Sequence, residues 1–114
     1  MYYVKYSKII NDDIDSCYFY IKEKLEAPRA AENLMAELYD KKNEIRESPY
    51  KRPLVQDSYL ASEGIRSVKV KNYVLYYTVD EDKKCINAIR FFYNKRDWKK
   101  LLKEKSIEEL IDEK

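Results

Sequence analysis

The residues able to do chemistry in this chain are basic and phenolic. They cluster between Gly64 and Trp98: Arg66, Lys69, Lys71, Arg90, Tyr93, Lys95, Arg96 and Trp98. Among the 114 residues there is no histidine. This removes the commonest general base and the commonest metal ligand, and with them Cys/His and Ser/His nucleophilic sites. A single glycine excludes a glycine-rich phosphate loop. Arginine, lysine and tyrosine can still act on RNA. The ribose 2′-OH is an internal nucleophile, so a protein need only orient it, stabilise phosphorane charge and protonate the leaving oxygen. Tyr93 is the candidate acid, although a free phenol titrates near 10. The same residues equally suit a purely binding surface.

Each candidate has a structural reading too. Arg66 shares strand parity with Val68 and Val70, which predicts a tie from loop to sheet edge through a carboxylate such as Asp57. Arg90 shares the parity of Ile86 and Ala88 and reads as a partly buried structural arginine. Trp98 reads as the anchor of a short C-terminal helix. Tyr76 and Tyr77 read as packing.

Charge supports a localised surface. The net charge is only +2, but residues 65–105 hold 12 Lys/Arg against 5 Asp/Glu, while residues 1–64 hold 10 against 12. A basic segment in an otherwise slightly acidic chain attracts polyanions or an acidic protein face. Cys17 and Cys85 lie far apart in no metal-like spacing and read as reduced thiols of a cytoplasmic protein. No apolar run approaches a membrane span. The expectation is therefore one domain over residues 1–114, with no membrane, no metal and no organic cofactor.

The elements that position these residues follow from periodicity. Alternation over Tyr2–Tyr6 predicts a strand. Asn11 or Asp12 is the expected cap of a helix with Ile14, Cys17, Tyr18, Ile21 and Leu25 on one face. Pro28 suits the first turn of a second helix, carrying Ala31, Leu34, Leu38 and Ile45, with Pro49 and Pro53 beyond it. From Ile65 the period becomes two. Strands are predicted over 65–70, 73–79 and 84–93, with Lys71-Asn72 as a hairpin turn in which asparagine takes the left-handed conformation. Ser106 and Glu109 form a capping box for a last helix over 107–113. Gly64, placed before Ile65 and Arg66, reads as a position needing positive φ. The order β-α-α-β-β-β-α predicts an α+β domain: an N-terminal strand, a helical hairpin, and a mainly antiparallel twisted sheet with a short C-terminal helix.

Six segments in this order carry a resemblance over nearly the whole chain. They are D-D-I-D at Asp12–Asp15, A-P-R-A-A-E-N-L at Ala27–Leu34, S-P-Y-K-R-P at Ser48–Pro53, G-I-R at Gly64–Arg66, N-Y-V-L-Y-Y-T-V at Asn72–Val79, and A-I-R-F-F-Y-N-K-R-D-W ending at Trp98. Together they resemble the RelE/ParE superfamily of toxins from bacterial type II toxin–antitoxin modules, also called plasmid stabilisation systems. The resemblance implies growth arrest, a cognate antitoxin as partner, and one of two targets. The leading expectation is a ribosome-dependent, metal-independent mRNA endonuclease (RelE-like), with Arg66, Tyr93 and Arg96 catalytic and Lys69, Lys71, Arg90, Lys95 and Trp98 binding RNA or target. The alternative is a non-enzymatic DNA gyrase inhibitor (ParE-like). A third reading is a degenerate member acting only as a protein-binding module. The chain departs from nucleolytic relatives in three places. Ser67 stands where a lysine is common, Val74 follows Tyr73 where an arginine is common, and Tyr93 stands where many carry histidine. The A-P-R-A-A-E-N-L segment and Val74 lean toward ParE, and the basic sheet and Lys95/Arg96 lean toward RelE.

Overall fold

The computed structural model describes residues 1–111. Strand β1 (Tyr3–Tyr6) leads into α1 (Lys8–Phe19), which a wider π-helical turn extends over Tyr20–Lys24. Helix α2 (Pro28–Glu47) and a short α3 (Ser58–Ser62) precede β2 (Arg66–Val70), β3 (Tyr73–Asp80) and β4 (Cys85–Tyr93). Two short helices follow, α4 (Trp98–Lys103) and α5 (Ile107–Ile111). The sheet order is β1-β4-β3-β2. β1 runs parallel to β4 and the other neighbours are antiparallel. This is the expected α+β arrangement, with α3 added; α4 is the short helix expected at Trp98 and α5 the last helix expected after Ser106. The expected helix end at 112–113 lies outside the described residues.

Helices cover both faces of the sheet. On one face Val68, Val70, Leu75, Tyr77, Ile86, Ala88 and Phe91 bury against Ile10, Ile21, Ala31, Leu34, Leu38 and Ile45 of the helical hairpin. On the other, Tyr76, Ile89 and Phe92 pack with Leu60, Ile65, Leu102 and Leu110. The two strand periods and two helix stripes thus converge on two cores. Burial of apolar surface is the main force holding them.

Several local devices differ from the sequence expectation. Helix α1 begins four or five residues earlier than Asn11 or Asp12 would set it. Ser7 is its cap, with Oγ accepting from Ile10 N at 3.3 Å. Ser7 is buried and is the single residue between β1 and α1, so the strand turns directly into the helix. In the β2–β3 turn Lys71, not Asn72, takes positive φ (54°). Gly64 has φ of 82° and open space where a Cβ would stand, so the need for glycine there is conformational. The capping box is present: Glu109 N donates to Ser106 Oγ and Ser106 N to Glu109 Oε1.

The most consequential irregularity is a β-bulge. Tyr76 pairs with Arg90 but Tyr77 with Ala88, leaving Ile89 as an extra residue in β4. Ile86 and Ala88 face the hairpin before it, and Phe91 does so after it. Arg90 therefore does not share the face of Ile86 and Ala88, as strict alternation predicts. Its guanidinium lies 5.5 Å from the Phe92 ring centre and reaches Asp13 of α1, with Nε 2.7 Å from Oδ2 and a terminal nitrogen 3.1 Å from Oδ1. The same Oδ2 accepts from Phe91 N at 3.0 Å. Strand β1 ends at Tyr6 opposite Ala88, so the Asp13 carboxylate serves β4 just beyond the last strand pair.

A second tie closes the other end of the sheet. Glu81 accepts from Tyr2 OH at 2.8 Å and Tyr50 OH at 2.7 Å and pairs with Lys84. The hydrogen bonds from Lys84, Tyr50 and Tyr2 hold its carboxyl down at about 2. Tyr77 OH donates to Pro49 O at 2.8 Å, fixing the loop after α2.

Two outcomes follow. Asp13→Ala leaves Arg90 and the Phe91 N–H without their acceptor. Breaking a buried pair costs about 3–5 kcal/mol, and the 15% exposure of Asp13 sets the expected loss near the lower figure. Urea denaturation checks this, and a loss under about 0.5 kcal/mol would contradict it. Because Glu81 is depressed from 4.5, its contribution is complete above pH 4.5 and lost as pH falls toward 2. Glu81→Gln should therefore flatten the stability–pH slope in that window and leave the slope above pH 5 unchanged.

Candidate partner-binding cleft

A cleft of about 810 Å³ opens between the end of α1, the start of α2 and the ends of β3 and β4. Its apolar lining is Cys17, Tyr20, Ile21, Leu25, Ala30, Leu34, Tyr73 and Phe92, and its polar rim includes Lys71, Tyr93 and Arg96. The π-helical turn shapes one wall. Leu25 N donates to Tyr20 O, Ala27 N to Ile21 O, and Glu26 takes φ of 49° before Pro28 starts α2. This widened connection leaves Phe19, Tyr20 and Leu25 more than half exposed. The other wall is aromatic. Tyr73 stacks on Phe91 at 5.5 Å and meets Tyr93 edge-on at 5.7 Å. Asn94 N donates to Asn72 O at 2.9 Å, which holds the 94–96 turn against the β2–β3 turn and brings Arg96 near Lys71.

The sequence-predicted site residues divide three ways. Lys71, Tyr93 and Arg96 meet at this cleft, with Lys95 exposed in the same turn. Lys69 and Trp98 lie on the opposite side of the sheet. Lys69 is paired with Val74, whose side chain packs in the second core. Trp98 stacks on Tyr76 at 5.9 Å and anchors α4, while the Asp97 carboxylate caps that helix. Arg66 and Arg90 are held in structural contacts. Arg66 donates to Arg52 O at 2.5 Å and lies over the Tyr50 ring. The expected tie of Arg66 to the 50s loop is present, but through a carbonyl and a ring. Asp57 instead caps α3 and pairs with Lys103. The groove between the helical hairpin and the sheet is where the sequence reading expects an antitoxin segment to land, but its hairpin residues Cys17, Tyr20 and Leu25 were not picked out as site residues. The available signal was an aromatic pair, Phe19-Tyr20, set half off the apolar stripe at a helix end.

Burial first, then the Asp13 carboxylate, push the Cys17 thiol up to about 12, with Arg96 opposing. A thiol so raised is a poor nucleophile. Lys71 and Arg96 have no side-chain hydrogen bond or ion pair among the described residues, which leaves two positive charges over an apolar floor.

A family model described as ParE toxin of type II toxin-antitoxin system, parDE, matches residues 4–98. The chain belongs to the ParE toxin family. The match spans every residue of the cleft and stops at the start of α4. A solved structure titled as a chromosomal ParDE toxin–antitoxin system from P. aeruginosa superposes with a TM-score of 0.65. The alignment is 14% identical and covers 82% of this chain and 96% of that one, a likeness of fold. No curated protein sequence matches. No described helix is long and apolar enough to cross a membrane. In this ParE chain the cleft thiol offers a direct check. Iodoacetamide at pH 8 should label Cys17 at least tenfold more slowly than a free thiol, read by mass spectrometry. Labelling at the free-thiol rate would show that the cleft does not shield it.

Proposed function

We propose that the chain is the toxin of a type II module, neutralised by a cognate antitoxin, and that it arrests growth by binding DNA gyrase without cleaving RNA. The observation that carries this is the dispersal of the arginines a nuclease would need. Arg66 pairs in register with Tyr77, and Tyr93 with Tyr73. Four residues of β3 separate those positions, about 13 Å at the rise of a strand. Arg66 is turned onto Arg52 O and Arg90 onto Asp13, so neither guanidinium faces Tyr93. Phosphoryl transfer requires convergent charge within hydrogen-bond reach of one phosphate. The family match supports the same side of the superfamily.

The cleft suits the antitoxin. An amphipathic acidic segment would set apolar side chains on Tyr20, Leu25 and Leu34 and carboxylates on Lys71 and Arg96. Such segments are often disordered until they bind. Arg96→Ala removes one charge-assisted contact, worth about 1.5–3 kcal/mol, or roughly 10–150-fold in affinity. Calorimetry with the purified antitoxin measures this, and an unchanged affinity would place the antitoxin elsewhere.

The nuclease reading keeps one supporting observation, the proximity of Lys71, Tyr93 and Arg96. Tyr93→Phe separates the two. Loss of a general acid costs about 10²–10⁴-fold, which relieves toxicity. Loss of one hydroxyl from a binding surface costs on the order of 0.5–1.5 kcal/mol, which overexpression masks. On the gyrase reading Tyr93→Phe still arrests growth and primer extension finds intact mRNA. Codon-phased cuts that vanish in Tyr93→Phe would overturn it.

A further inference from the structure

A second, smaller recess of about 350 Å³ lies between α5 and the β3–β4 strands. Glu63, Thr78, Val79, Asp80, Glu81, Asp82, Asn87, Ile107 and Ile111 line it, and among the described residues no lysine or arginine does, in a chain that has 23. We propose that this recess is a docking slot for an arginine side chain of a partner protein.

The floor carries the inference. Thr78 and Asn87 are cross-strand partners, so their side chains stand together on one face. Each is only 7% exposed. The Asn87 carbonyl meets only a weak donor, the Cys85 thiol, at 3.7 Å. The Thr78 hydroxyl has no partner among the described residues and can accept, as can the weakly engaged Asn87 carbonyl, while the Asn87 amide N–H groups are left to water. Among the described residues no buried side-chain polar atom is sealed without a partner, so these groups open onto the recess. A buried polar group without a protein partner needs water or a ligand. The rim supplies carboxylates. Glu63 and Asp82 are exposed and make no ion pair among the described residues, and Asp80 accepts only from Lys83 N. Glu81 is already engaged by Tyr2, Tyr50 and Lys84.

The set fits a guanidinium better than a metal ion. Among the described residues no group of three His, Cys, Asp or Glu could hold a metal. Acceptors at several angles suit the planar fork of arginine, which donates five N–H bonds. Ile107 and Ile111, on the second-core side of the sheet, form an apolar wall for the methylene stem, as basic side chains prefer. Only Ile107 and Ile111 of α5 lie beyond residues 4–98, and the slot does not rest on the gyrase reading.

The test titrates N-acetyl-arginine methylamide into the ¹⁵N-labelled full chain at low salt, beside the neutral citrulline analogue. The expected result is saturable shifts confined to the amides around Glu63, Thr78, Asn87 and Ile107. Citrulline should bind at least tenfold more weakly. The double variant Glu63→Gln, Asp82→Asn changes two exposed side chains, so the fold is kept, and it should weaken arginine at least fivefold. Equal shifts with citrulline, shifts scattered over acidic residues elsewhere, or an unchanged affinity in the double variant would each overturn the proposal.

Discussion

The Asp13 carboxylate holds the architecture at the point where the sheet loses its first strand. It takes three donors, two from Arg90 and one from the Phe91 backbone. A buried backbone N–H without an acceptor is costly, and β4 carries one at Phe91, just beyond the end of β1. One charged side chain on α1 supplies the acceptor and neutralises the arginine that the bulge has turned. The same contact fixes where α1 lies on the sheet. Cys17 is one helical turn beyond Asp13, and Tyr93 three residues beyond Arg90. The two walls of the cleft are therefore set by a single ion pair and its backbone bond.

The basic character of residues 65–105 separates, in space, into ties and free charge. Arg66, Lys84, Arg90 and Lys103 contact acceptors within the protein. Lys71, Lys95 and Arg96 gather at one end of the sheet, where the 94–96 turn bonds the β2–β3 turn. The surface a partner meets is thus smaller than the charge count implies, and it borders an apolar cleft. That combination favours recognition of a protein segment over a phosphate chain, because carboxylates and apolar side chains can be satisfied together.

Much of this was legible in the sequence. The strand periods after Ile65, the helical stripe at Ala31, Leu34, Leu38 and Ile45, Pro28, Gly64 and the Ser106/Glu109 box each act locally, and each stands as read. What was not legible depends on pairing. The bulge at Ile89 is decided by the Tyr76–Tyr77 register, and it reverses the parity on which Arg90 was placed. The Ser7 cap depends on burial, which an Asn-Asp pair downstream obscured. Arg66 was read correctly as a tie, yet its acceptor is a carbonyl, a choice no side-chain pattern records. The residues on the hairpin side of the cleft were hidden because a π-helical turn, not composition, exposes Tyr20 and Leu25.

The proposed toxin works by binding, with Lys71 and Arg96 at the cleft and Arg66 and Arg90 bound within the fold. The most direct measurement adds the purified chain to purified DNA gyrase and relaxed plasmid, beside a cell-free translation reaction with end-labelled mRNA. The account predicts a dose-dependent loss of supercoiling, relieved by stoichiometric antitoxin, with the mRNA left intact. Unimpaired supercoiling at saturating protein, together with cut mRNA in the translation reaction, would contradict it.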